Sequence, residues 1–219
     1  MYKVITVISA LILISCESTG SDDTLSFGKK ENVFYNIERG DTLNYSYFSF
    51  ATGDTIQVTN PKTDTNWDLA FGLIQKENPG PGPQFFDYWG IYTNGGVSGN
   101  ANGGGICLDT LYGDLNTITA EIKDAIVTDS LDTDGDPYPA VGTKSGSWYS
   151  YNPDSHQNTP DVKHTFIIRT ADGRYAKVQI LEMYYLDEAS QQIDLNQPNY
   201  LSFRYTFQED PNSDDLSSN

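Results

Sequence analysis

Trp67-Asp68-Leu69-Ala70-Phe71, a proline and glycine loop from Pro79 to Pro83, Asp87-Tyr88-Trp89-Gly90-Ile91-Tyr92-Thr93 and then Asn94-Gly95-Gly96-Val97-Ser98-Gly99-Asn100-Ala101-Asn102-Gly103-Gly104-Gly105 make up the stretch on which the fold turns. Its first and third runs are short, aromatic and β-branched, and bounded by turn formers, as strands are. Seven of its last twelve residues are Gly or Ser, so the backbone there can take φ > 0 and pass close to a neighbour. Such a loop either serves approach to a bound molecule or simply connects two strands, and the residues leave both open.

The same strand signature extends in both directions. Val33 to Ile37, Tyr45 to Phe50 and Thr55 to Thr59 precede the central stretch, separated by Gly40-Asp41 and Gly53-Asp54. Towards the C-terminus, Val162, His164, Phe166 and Ile168 alternate with Lys163, Thr165, Ile167 and Arg169. Asp172-Gly173 then reads as a two-residue turn into the return strand of Ala176, Val178 and Ile180. The last strand, Tyr200 to Gln208, puts Leu201, Phe203, Tyr205 and Phe207 on one face and Ser202, Arg204, Thr206 and Gln208 on the other. Only Leu115, Ile118, Ile122 and Ala125 or Ile126 keep helical spacing, with Asp114 placed as a cap. The expected class is all-β, antiparallel sheets with one short helix, in a single domain over residues 32–209. The polar residues 210–219 are expected to be a disordered tail.

The front end reads as an address. Met1-Tyr2-Lys3 precedes an apolar run from Val4 to Ile14, shorter than the roughly 20 residues a membrane-spanning helix needs, so residues 1–15 read as an export signal. Leu13-Ile14-Ser15-Cys16 resembles the lipobox of bacterial lipoproteins, which implies lipidation at Cys16. Residues 16–31 then form a flexible tether. Removal of 1–15 leaves 12 basic and 30 acidic residues, a charge of 12 − 30 = −18. A surface so acidic excludes nucleic acid as a partner.

Chemistry is constrained by scarcity. The chain has two histidines, His156 and His164; neither accompanies a nucleophile motif, and zinc sites of the usual His and Cys types lack ligands. No pair among the scattered carboxylates is singled out for acid–base work. The expectation is a binding protein, not an enzyme. The alternating acids of Thr128 to Pro137 lack the carboxylates an EF-hand requires at the positions of Ser130 and Val141, so they read as a solvated turn. Aromatic residues make up 13% of the chain. They flank two loops, with Tyr88, Trp89 and Tyr92 beside one and Trp148, Tyr149 and Tyr151 beside the other. Amphipathic rings on loops suit a flat ligand, porphyrin or sugar, held in a recess between them; packing of the sheets is the alternative use. His164 reads as a half-buried structural residue. His156, in the aromatic loop, is the candidate for ligand contact, though a plain surface histidine is equally compatible with its position.

Tyr47-Phe48-Ser49-Phe50, Trp67-Asp68-Leu69-Ala70-Phe71, Thr93-Asn94-Gly95-Gly96, Trp148-Tyr149-Ser150-Tyr151-Asn152-Pro153, Ile168 to Lys177 and Phe203 to Gln208 occur in an order that resembles the HmuY family of surface lipoproteins. The resemblance implies an all-β domain on the outer surface, lipid-anchored to the outer membrane. Such a domain captures haem as a carried ligand and passes it to a TonB-dependent outer-membrane receptor. It also implies side-chain ligation of the iron, by two histidines in some members and through Met in others. One such histidine follows the Trp-Asp-x-Ala-x strand, where this chain has Gly72-Leu73. On this reading the haem- or ligand-binding candidates are His156, Tyr149, Tyr151, Trp148, Tyr92 and Met183. His156 is the candidate metal ligand, an unligated iron or a different bound molecule being the alternatives, and Lys163, Arg169 and Arg174 are the cations open to the propionates. The alternative is a lipoprotein that binds a glycan, peptide or protein partner through the same aromatic loops; a purely structural envelope role is a third.

Overall fold

The structure is a computed structural model that describes residues 29–77, 80–81, 84–100, 102–142 and 148–217, with backbone alone at 29–31, 85 and 86. The signal over 1–15, the lipidation site Cys16 and the tether as far as residue 28 lie outside the described residues, as does part of the loop from Pro79 to Pro83.

In chain order the elements are β1 (Lys29–Glu38), β2 (Ser46–Ser49), β3 (Asp54–Ile56), β4 (Leu69–Glu77), β5 (Phe85–Thr93), β6 (Gly104–Asp109), α1 (Ala120–Ala125), β7 (Ser130–Leu131) and β8 (Pro137–Tyr138). There follow β9 (Tyr149–Asn152), β10 (Gln157–Pro160), β11 (His164–Arg169), β12 (Tyr175–Glu182), β13 (Tyr185–Asp187), β14 (Gln192–Asp194) and β15 (Tyr200–Gln208). The fold is all-β with one short helix. One sheet has the order β1-β15-β12-β11-β6 and the other β3-β2-β4-β5, while β7–β8, β9–β10 and β13–β14 are separate hairpins. Every strand pairing is antiparallel.

The two large sheets share one core, because alternation gives each a single continuous apolar face. Phe48, Leu69, Phe71, Trp89 and Ile91 of one meet Phe166, Ile168, Val178, Leu201, Phe203, Tyr205 and Phe207 of the other. Rings dominate the contact: Phe48 meets Phe203 and Tyr205 edge-on at 5.1 and 5.6 Å, and Phe71 stacks on Phe203 at 5.6 Å.

The opposite face of the larger sheet is also covered, contrary to the sequence pattern. Ser202, Thr206 and Gln208 are buried beside Lys177 and Gln179. Segment 110–126 and the C-terminal residues form the roof. Tyr112 and Thr206 share a hydroxyl hydrogen bond of 2.6 Å, and Thr165 Oγ1 donates to the Thr110 carbonyl at 2.7 Å. Leu115, Ile118, Ile126 and Leu216 pack on Ile167 as a second core.

That roof corrects two expectations. The helix begins at Ala120, capped by Thr119 whose hydroxyl accepts from Ile122 N, not at Leu115 behind an Asp114 cap. The backbone of Asn116 to Ile118 is engaged elsewhere: Ile118 N donates to Asp214 O and Leu216 N to Asn116 O. The apolar spacing misled because Leu115 and Ile118 face the same cluster as Ile122 and Ile126 without being helical. The partner strand is the supposed disordered tail, in which Leu216 is fully buried. The turn at Asp172-Gly173 also differs: Thr170 N donates to Arg174 O across a three-residue connection, with Gly173 at φ 87°, the form in which a left-handed residue closes a longer hairpin loop.

Candidate functional site

The glycine-rich loop after β5 approaches its own chain. Gly95 and Gly103 face each other so closely that a Cβ on Gly103 would lie 1.8 Å from the Asn94 carbonyl oxygen. Gly96, at φ 59°, has the Asp129 carbonyl where a side chain would point. The buried Asn94 amide donates to the carbonyls of Trp67 and Asp64 at 2.6 and 3.1 Å and its oxygen accepts from Asn100 N. Asp129 accepts from Thr93 N, Thr93 Oγ1 and Ala140 N at 2.8–3.0 Å. Burial outweighs those donors and pushes its carboxyl up to about 6. The loop is therefore a structural clasp.

Four of the six candidate binding residues are core. Trp148 is 1% exposed, meets Phe166 edge-on at 5.8 Å and donates from Nε1 to the Gly142 carbonyl. Tyr149 packs on Trp148, and burial pushes its phenol up to about 12. Met183 is 1% exposed in the same core. Tyr92 belongs to a separate cluster on the outer face of the smaller sheet with Trp67, Ala70 and Ile74. A run dense in aromatics carries no information on which way each ring points; β9 turns its first residue inward and the rest outward.

Tyr151 and His156 remain at the surface and are brought together. They face each other across the β9–β10 hairpin, and the Tyr151 hydroxyl lies 2.6 Å from His156 Nδ1. Tyr151 is 46% exposed. His156 takes φ 56°, a left-handed conformation that a non-glycine residue seldom adopts. Asn152 Oδ1 fixes the turn by accepting from Asp154 N and Ser155 N. The hairpin is tied to the body where Asn158 N donates to the Tyr184 hydroxyl at 2.8 Å.

Gly72 pairs directly with Gly90 across β4 and β5, where the family resemblance expects a histidine. The two dents are filled by Tyr45 and Tyr92, stacked at 4.8 Å and 13°. A Cβ on Gly72 would lie 2.5 Å from the Tyr45 ring and one on Gly90 2.6 Å from the Tyr92 ring. The departure from the family pattern is thus built into the packing. Gly72→His is expected to destabilise the protein by roughly 1–3 kcal/mol through overpacking, measurable as a lower urea midpoint, with part of the loss recovered in the Gly72→His, Tyr45→Gly double variant.

A recess of about 690 Å³ opens between the edges of the two sheets, lined by Phe34, Asn36 and Glu38 of β1, by Tyr45 and Tyr47, and by residues 55–59. It draws no residue from the glycine-rich loop or the β9–β10 hairpin. Burial raises the phenols of both Tyr45 and Tyr47. Sequence reading passed over these rings as strand residues; the i, i+2 spacing of Tyr45 and Tyr47 was the signal that they share a face.

Several of the remaining polar candidates have partners within the fold. Lys76 pairs with Asp132, with Asp136 at 3.1 Å and with Asp134 at 3.6 Å, so the acidic turn binds a lysine. No group of three His, Cys, Asp or Glu among the described residues is arranged to hold a metal ion. Burial pushes the Cys107 thiol up to about 12, as for an inert residue. His164 Nδ1 lies 3.5 Å from Asp161 Oδ2 and is buried without a hydrogen-bond partner. Arg174 pairs with Asp172 at 2.6 Å and Arg169 donates to the Asn102 carbonyl.

The chain is similar to several solved structures. An apo HmuY analog from Tannerella forsythia is 14% identical, over 86% of this chain and all of that one, with a TM-score of 0.43. A HmuY-like protein from Bacteroides vulgatus, described as heme-binding, is 17% identical over 84% and 93% of the two chains, with a TM-score of 0.42. Apo PinO from Porphyromonas gingivitis is 15% identical over 84% of this chain and all of that one, with a TM-score of 0.42. No curated protein matches the chain. A family model described as HmuY protein matches residues 41–205. The chain belongs to the HmuY family.

Proposed function

We propose that this protein is a surface lipoprotein that binds haem or a related porphyrin at the β9–β10 hairpin and passes it to an outer-membrane receptor. The observation that carries the reading is the outward-facing pair of Tyr151 and His156, an imidazole and a phenol held together at the tip of a hairpin in a HmuY-family chain. Both are chemical types that bind haem iron from a protein side chain. Family membership supports a binding protein in preference to an enzyme. The Leu13 to Cys16 motif supports the lipid anchor, and no helix among the described residues is long and apolar enough to cross a membrane. Titration of haemin into the protein is expected to produce a Soret band that shifts when His156 is replaced by Ala. No spectral change with the unaltered protein would reject the reading.

The recess at Tyr45 and Tyr47 favours a second reading, a glycan ligand. Its polar lining of Asn36, Ser46, Thr55 and Gln57 surrounds aromatic rings, a combination that offers ring-face contact and hydroxyl hydrogen bonds together. A glycan-array signal lost in Tyr47→Ala, with silence towards haemin, would establish it in place of the first.

A further inference from the structure

We propose that the recess between the two sheet edges is a docking groove for a basic, extended segment of a partner protein, which adds as a strand along Thr55 to Thr59. The recess shares no lining residue with the β9–β10 hairpin, so partner and porphyrin occupy separate places.

Thr55-Ile56-Gln57-Val58-Thr59 is a five-residue run rich in β-branched side chains, the composition of a strand. Only its first two residues are paired. The ladder joins Phe48 to Thr55 and Tyr47 to Ile56 and ends there, leaving Gln57, Val58 and Thr59 beyond it. β3 is also the edge of its sheet, and β1, across the recess, is the edge of the other. Every second backbone N–H and C=O of an edge strand points away from its neighbour and can take a further chain. A bulge between Phe34 and Ile37 blunts β1. The run from Thr55 carries no bulge, proline or lysine, so it is the edge open to a strand. It is held at both ends, by the ladder and by the turn beyond it. There the Asn60 carbonyl accepts from Thr63 N and Asp64 N, and the Trp67 indole donates to the Pro61 carbonyl at 3.1 Å. A run fixed in this way loses little freedom on docking.

The walls suit the alternating side chains of an incoming strand. Tyr45, Tyr47, Ile56 and Val58 belong to one apolar cluster, with the two tyrosine rings 6.4 Å apart. Ser46 and Thr55 fall on the opposite face, in phase with Phe48. Leu43 stands 87% exposed at the rim. Glu38 is the one charged residue among the described lining residues, on a chain of net charge −17. That balance selects a lysine or arginine in the partner and disfavours a second copy of the same acidic chain. A glycan would meet the rings and hydroxyls but leave the backbone groups of the run unpaired.

The probe is a phage-displayed library of random heptapeptides panned on the full chain, with the enriched peptide then synthesised and titrated. Seven residues span roughly 23 Å of strand, enough to cover the run. Enriched peptides are expected to alternate apolar and polar residues and to carry Lys or Arg. On binding, the amides of Thr55 to Thr59 should gain protection from hydrogen exchange in the unaltered protein. Gln57→Pro, which deletes an N–H past the ladder, should weaken binding about 3- to 10-fold, as for one lost hydrogen bond. Glu38→Gln should weaken it about 2- to 5-fold and make it less sensitive to salt. Circular dichroism confirms that each variant is folded, and the exchange measurement needs no variant. No enriched peptide, or one that protects only residues outside 55–59, overturns the proposal. So does a glycan-array signal lost in Tyr47→Ala with no peptide selected, which gives the recess to a sugar. A dimer in sedimentation that blocks the peptide gives it to a second copy and overturns it too. A silent library beside a haemin Soret band rejects the docking groove alone; a selected peptide beside silence towards haemin rejects the porphyrin reading alone.

Discussion

Replacement of Lys177 by alanine is expected to cost the fold about 3 kcal/mol, a large share of the 5–15 kcal/mol that holds a typical domain together. Lys177 is fully buried on the roofed face of the larger sheet. Its ammonium donates to the carbonyls of Tyr112 and Leu115 at 3.1 and 3.0 Å and lies 4.3 Å from the Tyr112 ring centre. Hydrogen bonds from a charged donor are among the stronger ones, and their loss strands two buried carbonyls. Lys177→Met keeps the aliphatic stem and should recover part of the loss, which separates packing from hydrogen bonding. Urea unfolding gives the magnitude. Hydrogen exchange should show segment 110–126 opening first while the core between the sheets stays protected. Equal urea midpoints for the alanine variant and the unaltered protein would show that the lysine does not hold the roof.

The second large effect is in the pH dependence. Asp68 follows Trp67 in the central stretch, accepts from Phe50 N at 2.7 Å and is buried. Burial is the main cause that raises its carboxyl to about 7. The Phe50 donor opposes the rise, Asp172 adds to it and Arg174 reduces it. The folded protein therefore holds this proton more tightly than the unfolded chain does. The resulting stabilisation is fully present below about pH 4 and is lost as pH rises through about 7. The amount is on the order of 4 kcal/mol at most. Asp129, raised to about 6, adds a smaller loss of the same sign that ends one pH unit earlier. Asp68→Asn keeps an acceptor for Phe50 N and has no proton to lose, so its stability should gain on the unaltered protein steadily between pH 4 and pH 8. Parallel stability curves for the two would contradict the burial argument.

Much of the fold was written in alternation. The pattern of Leu201, Phe203, Tyr205 and Phe207 places β15 against the core, and the same logic recovers β11 and β12, while β4 and β5 are read from aromatic and β-branched runs between turn formers. Alternation describes one strand at a time, however, and is silent on what lies over the polar side. The roof over Lys177, Thr206 and Gln208 depends on pairing between Asn116 to Ile118 and a distant tail, and no local pattern encodes that.

The candidate site was legible in part. Tyr151 and His156 were singled out for residue type, and the hairpin brings them together. Their hydrogen bond depends on a left-handed histidine in a turn, a conformation that composition would assign to glycine or asparagine. Trp148, Tyr149, Tyr92 and Met183 were chosen for the same chemical reasons and are buried, since aromatic supply serves packing first in a sheet sandwich. The glycines at 72 and 90 acquire meaning only from the register that sets them opposite each other beneath Tyr45 and Tyr92.

Amide chemical shifts followed during titration with gallium protoporphyrin, a diamagnetic substitute for ferric haem, test the central claim most directly. Perturbations concentrated in Tyr149 to Pro160, largest around Tyr151 and His156, are the predicted result. Shifts confined to Tyr45, Tyr47 and residues 55–59 with the hairpin unmoved, or no shifts at all, would contradict it.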